Sequence, residues 1–145
     1  MGAVLPFRLK VAGKDEIDGM NVTSMAFRVH GFLQVEGDRL VIEWGGTVAV
    51  DEVGAMGVRN DTERLPDERL EVPVTDLRRA ALEGGWFRPH LKVQARRMGA
   101  LTRVPSEHDG AVCFWYERTE RFTAVAVARE LNDAIDNIGQ DLELP

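Results

Sequence analysis

Apolar and polar residues alternate along most of this chain with a period of two, the signature of strands with one buried face. The first run sets Leu5, Phe7, Leu9 and Val11 against Val4, Pro6, Arg8 and Lys10. Pro6 has no amide to give to a ladder, which assigns this strand to a sheet edge or a strand start. A charged connector follows from Gly13 to Gly19. From Met25 the pattern predicts a hairpin, out through Phe27, Val29, Phe32, Leu33 and Val35 and back through Leu40, Ile42 and Trp44. Its turn is Gly37-Asp38, and glycine at the first central position suits a type II′ turn, which needs positive φ there. His30-Gly31 interrupts the alternation of the first arm, and a bulge is expected at that point.

Beyond Gly45-Gly46, which reads as a break, Thr47 to Val50 and Val53 to Val58 are short strand-like pieces, and Asn60 to Asp67, polar and carrying Pro66, reads as a loop. Strands are expected at Arg69 to Val74, briefly at Arg79 to Leu82, at Trp86 to Arg97 and at Ala111 to Tyr116, with Asp109-Gly110 as the turn before the last. After Glu117 the period changes. Phe122, Val125, Ala128, Leu131, Ala134 or Ile135, and Ile138 recur at spacings of three and four, which predicts one amphipathic helix capped by Thr119 and ended by Gly139. Many short strands and one terminal helix, with no repeat and no βαβ alternation, define a mainly β, α+β domain.

Charge alters the picture locally more than globally. Eighteen basic against 24 acidic residues give a formal charge of −6, so binding to nucleic acid has no overall driving force. Between Glu83 and Glu107, however, there is no acidic residue, and Arg88, Lys92, Arg96, Arg97 and Arg103 lie inside that gap. The last residues are acidic and read as a solvated tail. A single cysteine, Cys113, forms no internal disulfide, and the N-terminus carries no secretory pattern, so a reducing, cytoplasmic setting is expected.

Motifs for catalysis are missing: the chain has no phosphate loop, no HExxH helix and no GxSxG elbow, and His90 and His108 have no metal-sharing partner four residues on. No catalytic residue, metal site or cofactor is therefore assigned. Ser106-Glu107-His108-Asp109 contains the letters of a triad, but consecutive residues do not converge as nucleophile, base and orienter. Cys113, in a strand with no cation beside it in sequence, is expected to be an unreactive thiol. The feature that points to a function is the row Arg88, His90, Lys92, Gln94 and Arg96, of one parity on the expected strand. Same-parity groups stand about 6.6 Å apart, twice the rise per residue, so Arg88, His90, Lys92 and Arg96 are the candidate binding residues for an acidic partner. The alternative is a solvated face paired with Glu71 or Glu117 on neighbouring strands.

The stretch Phe32 to Trp44, then Glu68 to Leu82 (ERLEVPVTDLRRAAL), Trp86 to Arg97, the aromatic strand and the helix to Ile138 resembles the bacterial branch of the pleckstrin-homology-like (PH-like) domains. The resemblance implies a barrel of two nearly orthogonal antiparallel sheets, about seven strands, closed at one corner by the C-terminal helix. It divides the chain into an N-terminal strand and connector (1–21), the PH-like domain (22–138) and an acidic tail (139–145). It also implies a non-enzymatic binding or assembly module for protein partners or self-association. The family's phosphoinositide binders carry several lysines and arginines around the first hairpin, whereas Val35 to Leu40 offers only Arg39 beside Glu36 and Asp38, which argues against a phosphoinositide ligand. The competing readings are a small-ligand protein or enzyme with a pocket between sheet and helix, and peripheral binding to an anionic membrane through the basic row.

Overall fold

The computed structural model describes residues 2–143. Its eight strands are β1 (Val4–Leu9), β2 (Lys14–Asp18), β3 (Asn21–Glu36), β4 (Arg39–Gly54), β5 (Gly57–Pro73), β6 (Leu77–Glu83), β7 (His90–Ala95) and β8 (Ala111–Trp115), followed by helix α1 (Arg121–Glu143). All pairings are antiparallel, in the order β5-β4-β3-β1-β8-β7-β6, with β2 paired to β3 off this path. The mainly β architecture with one terminal helix agrees with the sequence pattern, but the sheet is not closed into a barrel. Strands β5 and β6 end the ladder unpaired to one another, and α1 lies along β6 instead.

The seam of the sheet is β1. It pairs along its whole length with β3 but touches β8 only at Arg8 opposite Trp115. This corrects the expected edge position of β1 and explains why Pro6 is tolerated: opposite Pro6 there is no β8 partner for a missing amide to fail. Val4–Leu9 and Lys14–Asp18 both pair with β3 and so belong to the same sheet as the rest of the strands.

Within the core, Leu5, Phe7 and Leu9 of β1 meet Val29, Leu33, Leu40, Ile42 and Trp44 from the long hairpin, and Leu91, Val93, Val112 and Phe114 from β7 and β8. The rings of Phe7 and Phe114 pack edge to face at 4.8 Å. Helix α1 covers this core with Ala124, Val127, Ala128 and Leu131, while Ala134, Ile135 and Ile138 are half-buried. The expected stripe was offset at its start: Phe122 is 88% exposed and Val125 only half-buried. Arg118–Glu120 forms a 3-10 turn before α1, and Thr119 lies inside it rather than capping the helix. Gly139 does not end the helix, whose backbone runs on to Glu143; of the expected acidic tail, residues 144–145 lie outside the described residues.

The hairpin β3–β4 turns at Gly37 with φ of 62°, and Asp38 keeps negative φ, as the type II′ assignment requires. The register of β3 with β4 is unbroken through Gly31, so no bulge occurs there; a Cβ on Gly31 would strike the Glu43 carbonyl, and glycine lets the two strands approach. The bulge falls instead between β4 and β5, at Trp44/Gly46, where β5 carries one residue too many beside Pro66.

Neither the break at Gly45-Gly46 nor the loop at Asn60 to Asp67 exists, because β4 and β5 run straight through both. The connector at 13–19 also contains a strand, β2. Together β2 and the distal halves of β3, β4 and β5 form a four-stranded arm projecting beyond the core. Both of its faces meet solvent toward the tip, so its residues lack the alternation by which strands are read.

Candidate functional site

The expected strand Trp86 to Arg97 is shorter in the structure, His90–Ala95, because Gly84 and Gly85, both at positive φ, turn the chain and the Arg88 amide donates to the Gly84 carbonyl. Arg88 and Arg96 therefore lie in the connections at the two ends of β7, while His90, Lys92 and Gln94 stand on its outer face. The five-membered ladder is reduced to three, since only a continuous strand keeps side chains in one row.

Register places the outer-face neighbours. His90 lies between Glu83 of β6 and Trp115 of β8, and Lys92 lies between Ala81 and Cys113. His90 is held on three sides: its ring stacks on Trp115 at 4.4 Å, its Nδ1 donates to the Arg88 carbonyl at 3.0 Å, and its Nε2 faces the Glu83 carboxylate at 3.4 Å. Lys10 Nζ also sits 3.8 Å from the Trp115 ring centroid, a cation–π contact that fixes the lysine over β8.

Between these strands and the loop 106–110 runs an open groove of about 510 Å³, lined by Lys10, Arg78, Lys92, Gln94, Cys113 and Trp115, among others. Arg78 reaches it through a β-bulge: β6 has one extra residue between Leu77 and Arg79, which turns two successive arginines outward. None of Lys10, Arg78 and Lys92 has a carboxylate within 4 Å among the described residues. The pairings that would have neutralised the row do not form, because Glu117 is bound by Arg8 at 3.0 Å and Glu71 by Arg39 and Arg69. The one carboxylate lining the groove, Asp109, lies 3.2 Å from His108. The loop is held by a turn with Asp109 and Gly110 both at positive φ, and its wall buries the Ser106 hydroxyl with no hydrogen-bond partner.

Cys113 forms part of the floor, half-buried. Its pKa is pushed up by burial, which outweighs the opposing pull of the Lys92 charge, and the Glu83 charge adds a smaller push upward. The group is a thiol at neutral pH, in keeping with the inert role expected of it. The groove is thus a shallow cationic strip with an aromatic end, suited to holding an extended anionic chain.

Sequence reasoning found His90 and Lys92 but missed Lys10, Arg78 and Ser106. Lys10 shares the parity of Arg8 and was legible as outward-facing, yet nothing local says that β1 and β7 flank the same strand. Of the tryptophans, Trp44 is buried in the core, Trp115 lines the groove, and Trp86 is exposed beside Phe87. No helix is long and apolar enough to cross a membrane among the described residues. No protein-family model matches the chain, and no curated protein or solved structure matches it.

Proposed function

We propose that this chain is a non-enzymatic binding module of the PH-like class, which holds an acidic segment of a partner protein in the groove over β7 and β8. The observation that carries the reading is the trio Lys10, Arg78 and Lys92, brought together from the end of β1, from β6 and from β7, with no carboxylate within 4 Å among the described residues. The PH-like assignment is supported by two meanders, β3-β4-β5 and β6-β7-β8, joined through β1 and followed by a helix over the core. Space between sheet and helix is filled by Leu5, Leu33, Phe114 and Leu131, which favours a surface site over an internal ligand pocket. His90 and Cys113 do not act on each other: one is engaged by Glu83, Arg88 and Trp115, and the other is held protonated.

The test is titration of the labelled protein with a glutamate-rich peptide, followed by backbone amide shifts. Shifts should cluster at Lys92, Gln94, Cys113 and Trp115, and affinity should fall as salt is raised. Lys10→Glu with Lys92→Glu should weaken binding by at least about tenfold, whereas Arg96→Glu, outside the groove, should have a much smaller effect. Equal affinity of parent and double variant, or shifts confined elsewhere, would overturn the reading.

A further inference from the structure

Two exposed surfaces of this chain are unlike the groove and complement one another. At the tip of the arm, register aligns Ile17, Val22, Val53 and Val58 in one row across β2, β3, β4 and β5. All four are exposed, Ile17 at 76% and Val58 at 69%, and the turns beside them present Met20 and a fully exposed Met56. Asp15 and Asp51 share the face of this row, and Glu16, Asp18 and Glu52 stand on the reverse face with Arg59, which pairs with Asp61; none of these five carboxylates has a cation within 4 Å among the described residues. At the opposite pole of polarity, the β6–β7 turn and the start of α1 expose Trp86, Phe87 (82%) and Phe122. The Arg118 guanidinium lies over both Trp86 and Phe87, at 5.0 and 5.9 Å from the ring centroids. Arg118 and Arg121 join Trp86, Pro89 and Tyr116 in lining a hollow of about 140 Å³, whose one carboxylate, Glu83, faces His90. Neither Arg88, Arg118 nor Arg121 has a carboxylate within 4 Å among the described residues.

We propose that the arm tip of one copy docks on the aromatic and arginine edge of a second copy, so that the chain assembles head to tail. An aliphatic row ringed by carboxylates meets aromatic rings ringed by guanidinium groups, so apolar burial and charge both favour the contact. The hollow beside Trp86 has the size of one unbranched apolar side chain, and Met56 or Met20, flexible and exposed, supplies it. The arm tip presents carboxylates and protruding methionines together, so a second copy matches both the arginines and the hollow beside Trp86. Because the two patches differ, a head-to-tail contact leaves one arm and one edge free at the ends of each pair, so assembly continues into rings or open chains.

Sedimentation velocity across a concentration series, from about 10 µM to about 1 mM, reads the assembly directly. The parent's average mass should rise with concentration and fall back when salt is added. An arm variant, Ile17→Asp with Val58→Asp, and an edge variant, Trp86→Ser with Arg118→Glu, should each remain monomeric, their association weakened by more than about tenfold. Mixed one to one, the two variants should form dimers and nothing larger, because each pair retains one intact contact and two damaged ends. A parent that stays monomeric, a variant that assembles like the parent, or a mixture that stays monomeric would each overturn the proposal. So would a parent that stays monomeric but co-sediments with phosphatidylserine vesicles through the aromatic edge. Circular dichroism checks folding, and if either double variant is unfolded the single changes Val58→Asp and Phe122→Ser take its place. Lys10→Glu with Lys92→Glu should assemble as the parent does, so failure of the groove reading and failure of this one are told apart.

Discussion

Leu131 and Phe122 show how position on one helix separates residues of similar apolarity. Leu131 is fully buried against the sheet, and its truncation to alanine should cost on the order of 2 to 5 kcal/mol, through lost transfer free energy and the cavity left behind. Phe122→Ala should change stability by less than about 0.5 kcal/mol, because the ring is already in water. Urea unfolding of both variants checks the contrast, and a shared midpoint would deny α1 its place over the core. Cys113 adds a pH dependence. Its folded-state pKa is raised, so the stability it contributes is present below the usual thiol range and is lost as pH rises through and beyond that range. Stability of the parent should therefore decline above about pH 9, more steeply than that of Cys113→Ala, as measured by urea midpoints between neutral and alkaline pH. Tyr116, also raised by burial, adds to the decline in both proteins.

Among the elements, β6 poses the clearest problem, since it is a terminal strand whose outer backbone groups have no strand to pair with. Asn132 on α1 answers it: its Oδ1 accepts from the Ala80 amide and its Nδ2 donates to the Ala80 carbonyl, both at 2.9 Å. One side-chain amide thus imitates a neighbouring strand and clamps helix to sheet. Asn132→Ala should cost roughly 1 to 3 kcal/mol by leaving both Ala80 groups unmet, and hydrogen exchange at the Ala80 amide should accelerate. Asn132→Asp should lose the donor alone and set a carboxylate against a carbonyl, so it should be no better than alanine. Unchanged exchange at Ala80 in both variants would show that the clamp carries no stability. Asn132 was invisible beforehand, because a polar residue on a helix flank reads as solvated until the strand beside it is known.

At the scale of the molecule, charge is sorted into regions that the overall value of −6 conceals: an acidic arm, a cationic groove and an arginine-rich aromatic edge. What depends on near neighbours is legible in the chain alone: the period-two strands of the core, the Gly37-Asp38 and Asp109-Gly110 turns, the terminal helix, and the acid-free stretch that contains Lys92. These follow from local sterics and from the match between side-chain period and a buried face, and a single chain displays both. Long-range pairing is what puts β1 at the seam, leaves the sheet open and makes the polar run at 60–67 a strand. Alternation signals a strand only when one face is buried, and the arm has two wet faces. Tertiary pairing alone also gathered Lys10, Arg78 and Lys92, residues as much as 82 positions apart, because strand order and a one-residue bulge are set by long-range contacts that no local pattern records.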